Sequence, residues 1–310
     1  MKAINKKNII TVLFILLMYA AGEIMLRQGI IDSYIEINII LIGINIILAV
    51  GLNLVTGFTG QFSLGHAAFM AVGAYTSAIL TAKFGQPFTV AILFSAMAAA
   101  LAGVIIGIPT LRLKGDYLAI ATLGFGEIIK ILALNIDYIG GARGFMDIPK
   151  YTNWTWVYFM VVISIVVIKN FINSRGGRAC ISISQDETAA EAMGINTTKY
   201  KILAFVIGAF FAGIAGALYA NYFYFIKPDS FGYMKSIDIL VIVVFGGMGS
   251  IAGSVVGAIV LSLISLFLQN IPELRMVIYA VILFLIMVYR PQGLLGKGEF
   301  KLKFLKRRLA

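Results

Sequence analysis

The sequence predicts one all-α, polytopic membrane domain of about ten transmembrane helices, with eight to ten as the range. Hydrophobic residues make up 60% of the 310 residues and charged residues only 13%, and the mean hydropathy is +0.96. A soluble domain carries about a quarter charged residues. The apolar residues also fall in runs close to the ~20 residues that a helix needs to cross a bilayer. We therefore assign residues 1–310 to a single transmembrane domain, which leaves almost no length for a soluble one.

Ten apolar runs are candidates for these helices. The first follows Lys6 and Lys7 and resembles a signal peptide, but no small-x-small cleavage site follows it, so we interpret it as a retained helix. The eighth is short and ends in glycines, which is why the range extends down to eight. The runs lie at roughly 8–26, 38–55, 63–82, 88–109, 117–135, 154–172, 200–221, 237–250, 253–270 and 275–290.

The positive charge is unevenly distributed along the chain. The formal net charge is +11, and most of the 25 lysine and arginine residues fall on one side of the membrane if the chain starts inside and crosses ten times. This positive-inside pattern places both termini, an insert at 173–199 and a basic tail at 291–310 in the cytoplasm. Anionic lipid headgroups, rather than nucleic acid, are then the expected partner of the tail.

A short charged segment, residues 184–194 (SQDETAAEAMG), lies inside this insert. Ser184 and Glu187 have the spacing of a capping box, acids crowd the first turn, and Gly194 can end the helix. A membrane protein that exposes a short helix with a small apolar face offers a docking site to a partner, although an ordinary solvated loop helix is the alternative. The predicted docking helix comprises Asp186, Glu187, Glu191 and Gly194 around an apolar face of Ala189, Ala190 and Met193.

Glycines and polar residues interrupt the apolar sequence at 56–66 and at 245–257. Irregular backbone survives in lipid only where it is buried in protein or lines an aqueous cavity. Paired glycine-broken helices in two halves of a chain indicate a translocation site, a rule framed for secondary transporters. Close helix packing through glycine is the alternative, and the two interpretations weigh about equally. The candidate pathway residues are Gly60, Gln61, Ser63, His66, Gly246, Gly247 and Gly249, with Thr122 and Phe125 of the fifth run.

Glu127 and Lys130 place two opposite charges within the fifth run. They are three residues apart, so they can pair on one helix face. A charge at mid-bilayer costs about 2.5–3.5 kcal/mol on insertion scales, so we expect this intramembrane ion pair to face other helices or water. A structural ion pair is the favoured interpretation, and a substrate contact is the alternative.

The sequence predicts no catalytic or metal site. It contains no G-x-x-x-x-G-K-[ST] loop, so we do not expect this chain to hydrolyse ATP. His66 is the only histidine and Cys180 the only cysteine, which excludes multi-histidine metal sites, cysteine metal clusters and internal disulfides. We therefore expect neither enzyme activity nor a bound cofactor.

Four segments resemble the permease subunits of branched-chain amino acid ABC importers, and among these the LivM type. They occur in order and cover nearly the whole chain. The segment at 186–194 departs from the broad permease pattern E-A-A-x-x-x-G, because Thr188 follows Glu187. The segments are 57–69 (GFTGQFSLGHAAF), 112–126 (RLKGDYLAIATLGFG), 186–194 (DETAAEAMG) and 245–250 (FGGMGS).

This resemblance implies a multi-pass permease subunit of the bacterial cytoplasmic (inner) membrane, forming the pathway for leucine, isoleucine and valine. The implied partners are two ATP-binding subunits, which hold the ATP, a second homologous permease and an extracytoplasmic amino-acid-binding protein. ATP binding would move the 184–194 coupling helix and rock the bundle from inward-open to outward-open. Two alternatives stay open: a related ABC permease for a sugar, nucleoside, urea or short amide, and an ATP-independent channel or secondary transporter.

Overall fold

The computed structural model describes residues 6–29, 32–113, 115–268, 272–289 and 293–296. In these ranges the regular structure is helical, and an isolated antiparallel bridge joins Phe145 to Ile226. Turns of π-helix extend α2 over Leu54–Phe58 and α3 over Ile79–Lys83. The helices are α1 (Lys6–Arg27), α2 (Ser33–Asn53), α3 (His66–Ala78), α4 (Phe88–Thr110), α5 (Asp116–Asn135), α6 (Trp154–Asn173), α7 (Arg175–Gln185), α8 (Glu187–Ala192), α9 (Thr197–Phe223), α10 (Tyr233–Gly246), α11 (Ile251–Phe267) and α12 (Pro272–Tyr289).

The all-helical class predicted from the composition is confirmed. Each predicted run overlaps a helix of the described chain, while α7 and α8 occupy the insert. The number of crossings stays a prediction, because α10 has 14 residues and is therefore about 21 Å long, shorter than a bilayer core. Most of the predicted tail at 291–310 lies outside the described residues. Among the described residues, five helical segments are long and apolar enough to cross a membrane: Ser33–Phe58, Phe88–Thr110, Asp116–Asn135, Trp154–Asn173 and Thr197–Phe223.

Helix α9 forms the centre of the bundle and packs against α3 and α4. Small residues make this close packing possible. A Cβ added at Gly216 would lie 2.0 Å from the carbonyl oxygen of Met70 in α3, and one at Gly213 would lie 2.6 Å from that of Ser95 in α4. Small residues at helix interfaces in membranes let backbones approach and gain van der Waals contact. This core positions the start of α3, where the first glycine-broken segment ends.

Helices α2, α10 and α11 form a second packed group. A short turn over 247–250 joins α10 to α11, and the two helices touch at glycines. A Cβ at Gly246 would lie 2.1 Å from the carbonyl oxygen of Gly253, so this pair tolerates no side chain. The end of α2 and the turn between α10 and α11 therefore lie at the same end of the bundle, where α7 also packs.

The short helix in the insert begins later than the sequence predicted. Ser184 belongs to α7, where its Oγ donates to the carbonyl oxygen of Ile181, so its predicted capping role is wrong. Asp186 is the N-cap, and its Oδ1 accepts from the Ala189 N–H at 3.0 Å. An N-cap needs extended backbone, which Asp186 has (φ −157°, ψ 111°) and a residue inside a helix lacks. Gly194 follows the helix in the left-handed conformation (φ +82°).

Candidate functional site

Asn53, at the end of α2, joins the two glycine-broken segments. Its side chain is 1% exposed, and its Oδ1 accepts from the Gly249 N–H at 2.8 Å. Its Nδ2 donates to the carbonyl oxygen of Ser250 at 2.9 Å and to Ser254 Oγ at 2.7 Å. A Cβ at Gly57 would lie 1.9 Å from Asn53 Oδ1 and 2.3 Å from Gly249 N. We call these five residues the glycine junction. The sequence analysis did not single out Asn53, whose signal is a carboxamide in an otherwise apolar run.

The first break, residues 59–65, leaves the helical conformation and runs between α5 and α7. Gly60 has φ +74°, and a Cβ there would lie 3.2 Å from the Cα of Ser184. On the other side, Thr122 Oγ1 of α5 accepts from the Leu64 N–H at 3.0 Å. The break therefore touches the last turn of α7 at Ser184, two residues before the cap of α8.

Several predicted pathway side chains are buried in protein. Gln61 is 3% exposed, and neither atom of its side-chain amide has a hydrogen-bond partner within the described ranges. Ser63 and His66 are each 2% exposed, at the entrance to α3. The ring of Phe125 stacks on that of Phe69, with centroids 6.1 Å apart. Thr122 and Phe125 of α5 thus pack on the start of α3 and the segment before it, while His66 faces α2, where a Cβ added at Gly51 would lie 3.4 Å from its Nε2.

A cavity of about 850 Å³ lies between the glycine junction, α6, α7 and α11. Gly249 is the predicted pathway residue that lines it, and Gly60 contacts the wall through Ser184. Lys169 of α6 and Gln185 of α7 also line this space. Aliphatic side chains of α6 and α11 form most of the remaining wall, so the cavity is apolar with a few polar groups. These aliphatic residues are Ile165, Ile172, Ile251, Val255 and Val256.

The other two predicted glycines have packing roles in this structure. Gly246 abuts Gly253, as described above. Gly247 ends α10 with φ +116° and lies against the segment 293–296, where a Cβ at Gly293 would fall 2.3 Å from its Cα. The N–H of Leu294 donates to the Phe245 carbonyl oxygen at 3.0 Å. These contacts satisfy the end of α10, so the packing interpretation of the second break applies to this part of it.

Two polar contacts hold α8 to α9. Lys201 Nζ lies 2.5 Å from Glu187 Oε1, and Thr197 Oγ1 donates to Glu191 Oε1 at 2.6 Å. These bonds turn the adjacent Ala190 inward, where it is 4% exposed. The predicted apolar face is therefore wrong at Ala190, because the partners on α9 that set the rotation of α8 are not visible in the helix's own sequence.

The exposed surface of α8 includes a small apolar patch, next to the exposed polar residues Thr188 and Glu191. Met193 is 83% exposed, and Ala189 and Ala192 are exposed beside it. The helix before α8, α7, packs into the protein through Cys180. This residue is fully buried, and its Sγ donates to the Tyr200 carbonyl oxygen at 3.6 Å. Burial raises the pKa of the Cys180 thiol. Helix α7 thus connects the exposed surface of α8 to the glycine junction.

Glu127 and Lys130 lie 3.7 Å apart, between Oε2 and Nζ, but they do not act as an isolated pair. Lys130 Nζ is also 3.4 Å from Asp229 Oδ1, in the turn before α10. Glu127 Oε1 accepts from the N–H of Tyr233, the first residue of α10, at 3.3 Å. An acid at this position satisfies an unpaired N–H and complements the helix dipole. The contacts favour the structural interpretation, in which the charges anchor the short α10.

In the part of the chain that the structure describes, no three His, Cys, Asp or Glu side chains come together as metal ligands would. The arrangement is instead a bundle of membrane-length apolar helices with a buried junction, a cavity beside it and a short exposed helix linked to both. These features define the permease class of membrane protein.

The chain belongs to the family described as branched-chain amino acid transport system / permease component, whose family model matches residues 34–287. It is 37% identical over 295 residues to the high-affinity branched-chain amino acid transport system permease protein LivM of Salmonella typhimurium, covering 84% of this chain and 69% of the relative. LivM of Escherichia coli K12 is 36% identical over 324 residues, with 93% and 75% covered.

A second type of relative is more distant. The permease protein LivH of Salmonella typhimurium is 26% identical over 285 residues, which cover 82% of this chain and 91% of the relative. The order of identity agrees with the LivM-type resemblance of the motifs. No solved structure gives a significant match.

Proposed function

We propose that this chain is the transmembrane permease subunit of an ATP-driven (ABC) importer for leucine, isoleucine and valine. The observation that carries this proposal is the contact between Gly60 and Ser184, which links the exposed helix α8, through α7, to the glycine junction. A partner that moves α8 therefore acts on the wall of the large cavity. The LivM relatives support the substrate class, since their names give branched-chain amino acid transport.

The proposed assembly contains two ATP-binding subunits, a second homologous permease and an external amino-acid-binding protein. One ATP-binding subunit docks on Ala189, Ala192 and Met193, the exposed surface of α8. The ATP-binding subunits hold the ATP, and this chain contributes no catalysis. The bias of lysine and arginine supports ten crossings of a bacterial inner membrane, with both termini and α8 in the cytoplasm.

In this arrangement the 850 Å³ cavity is the inward-facing part of the pathway. Its aliphatic walls suit an aliphatic side chain, and the backbone of the turn at Gly249 and Ser250 supplies dipoles for the charged ends of the amino acid. ATP binding moves α8, and α7 transmits the displacement to the first break at Gly60. The bundle then changes from inward-open to outward-open and receives the substrate from the binding protein.

The test is purification of the tagged chain from native membranes, followed by leucine uptake and ATPase assays in liposomes. Ala189→Asp and Met193→Asp should abolish co-purification of the ATP-binding subunits, because they place charge on the docking surface. Thr198→Asp is the matched control, since Thr198 is exposed nearby in the first turn of α9, where an acid is tolerated.

Three results contradict the proposal in different ways. A chain that purifies alone and transports without ATP is a channel or secondary transporter. An assembly whose ATPase responds to a sugar, nucleoside, urea or short amide, and not to leucine, is a related ABC permease with another substrate. Normal recovery of the ATP-binding subunits with both aspartate variants shows that α8 is not the docking helix.

A further inference from the structure

Four exposed cations lie at the end of the bundle where α3 and α9 end. They come from three separate segments of the chain, which are the π-helical turn after α3, the loop between α5 and α6, and the turn after α9. Within the part of the chain that the structure describes, none of the four forms an ion pair with an acid. We call them the cationic surface, and its members are Lys83, Arg143, Lys150 and Lys227.

The three segments are joined at Phe145, in the loop over 136–153. Phe145 and Ile226, which follows α9, exchange two backbone hydrogen bonds of 2.9 and 3.0 Å. Lys83 Nζ, from the third segment, lies 5.5 Å from the centroid of the Phe145 ring. Most connections between helices or strands have about 4–6 residues, and a much longer loop that is ordered is typical of a binding site.

Aromatic rings position the lysines of the cationic surface. Lys150 Nζ lies 4.7 Å from the centroid of the Tyr222 ring, and Lys227 Nζ lies 5.4 Å from that of Phe225. The Phe225 ring is itself held against the loop, because a Cβ at Gly144 would lie 2.6 Å from it. A ring carries no net charge, so it positions a cation without neutralising it. The positive charge therefore stays available to a partner.

The cationic surface lies at the opposite end of α9 from α8. Helix α9 begins at Thr197, which bonds to α8, and its 27 residues extend about 40 Å before it ends at Phe223. In the proposed topology α8 is cytoplasmic, so the cationic surface is extracytoplasmic. Segments on that side of a membrane normally contain few lysine and arginine residues. A cluster of four cations there indicates a partner that carries negative charge.

Exposed apolar side chains lie among these cations. Met146 is 57% exposed, Tyr138 55% and Tyr151 44%. Tyrosine, methionine and arginine are enriched in interfaces between proteins. Anionic lipid headgroups also attract cations and are the alternative partner. A fluid headgroup layer needs no fixed arrangement of charges, whereas rings and backbone hydrogen bonds preorganise these, and preorganisation favours a protein surface.

We propose that the cationic surface docks the external amino-acid-binding protein through acidic side chains of that protein. The cations supply attraction and register, and Met146 and Tyr138 supply apolar contact. This inference rests on the proposed function, because it takes that binding protein as the partner. It adds which segments of this chain receive the binding protein and the sign of the charge that they recognise.

The experiment titrates the binding protein that is recovered with the tagged assembly, loaded with leucine, onto the purified assembly in phosphatidylcholine nanodiscs. Lys150→Glu and Lys227→Glu should each raise the Kd ten-fold or more, and high salt should remove most of this difference by screening exposed charges. Met146→Ser should weaken binding at every salt concentration, because its contact is apolar. The matched control is Arg175→Glu, the same charge change at an exposed residue in the first turn of α7, where an acid is tolerated. It should leave the Kd unchanged.

ATPase assays distinguish docking from a structural role. The two lysine variants should raise the concentration of binding protein that gives half-maximal stimulation and leave the maximal rate unchanged. A lower maximal rate at an unchanged half-maximal concentration would overturn the proposal.

Two other results would overturn the cationic surface while leaving the importer proposal intact. One is an unchanged Kd in both lysine variants. The other is a loss of bound phosphatidylglycerol from these variants, measured by native mass spectrometry, without a change in Kd, which would assign the cations to lipid headgroups. A wild-type assembly that binds no external protein overturns the proposed assembly and this surface with it.

Discussion

Replacing Asn53 by alanine removes the three hydrogen bonds that join the two glycine-broken segments. The losses are unequal. The Ser250 carbonyl oxygen still accepts from the Ser254 N–H at 3.0 Å, and Ser254 Oγ still bonds to the same oxygen at 3.3 Å. The N–H of Gly249 keeps no such substitute, since Asn53 Oδ1 is its acceptor in this structure. One partly buried donor therefore loses its acceptor, and two further bonds are lost without leaving an unpaired group.

The three lost bonds set the expected decrease in the free energy of unfolding. A buried unsatisfied donor costs about 1–3 kcal/mol, and each of the other two bonds contributes a net ~0.5–1.5 kcal/mol. The expected destabilisation is about 2–6 kcal/mol. With a slope of about 2 °C per kcal/mol for a chain of this size, Asn53→Ala should lower the Tm of the purified protein by at least about 4 °C. The Tm is measured by heating samples and quantifying the surviving peak in fluorescence-detected size-exclusion chromatography.

The control is Asn135→Ala. Asn135 is exposed, and its Nδ2 donates to the Ile131 carbonyl oxygen within its own helix. Its loss should shift the Tm by about 1 °C or less, because water replaces the bond. A Tm for Asn53→Ala that equals that of the control would refute the reasoning. It would mean that water reaches the junction and replaces the lost hydrogen bonds, or that this side chain does not hold the two segments together.

Three further predictions concern Gly60, Lys201 and Cys180. Gly60 has a positive φ and a close neighbour, so Gly60→Ala should reduce leucine uptake in liposomes several-fold. The control is Gly85→Ala, because Gly85 also has a positive φ (+60°) but nothing within 4 Å of an added Cβ. It should cost only the backbone strain of about 1–2 kcal/mol and leave uptake largely intact. Lys201→Met leaves the Glu187 carboxylate without its cation, so it should remove most leucine-dependent ATPase activity while Lys201→Arg retains it; equal activity of both variants would contradict the anchoring role. Because burial raises the pKa of Cys180, its thiol should resist maleimide at pH 8 until the protein unfolds, and stability should fall as the pH rises above the ordinary pKa of a free thiol. Rapid labelling of the native protein, measured by mass, would contradict this.

The sequence contains enough information for the helices but not for their contacts. Runs of about 20 apolar residues predict helix positions because the bilayer sets that length, and α4, α5 and α6 begin within one residue of the predicted runs. Asn53 was missed because its importance depends on Gly249, which lies almost 200 residues away. Gly60 and Gly246 look equivalent in the sequence, yet one touches α7 and the other packs on α11. Only the three-dimensional neighbour distinguishes a glycine in a connecting segment from one in a helix interface.

The same limitation applies to charge. The eighth run was placed at 237–250, so Asp238 fell at its edge and Lys235 outside it. The structure instead begins α10 at Tyr233, held there by Glu127 from α5. Lys235 consequently reaches the middle of α2, through Asn45. A helix start fixed by a side chain more than 100 residues earlier is not visible to a hydropathy pattern.

Two routes lead from α8 to the glycine junction, and together they limit how α8 can move. One passes through Glu187 and Lys201 to α9, which in turn packs on α2: a Cβ at Gly208 would lie 3.0 Å from the carbonyl oxygen of Gly51, two residues before Asn53. The other passes from α7 to Gly60, in the segment that follows α2. We therefore expect a displacement of α8 to reach the junction through both α9 and α7. Lys201→Met cuts the first route and Gly60→Ala obstructs the second, so a loss of coupling in only one of them identifies the route that carries the motion.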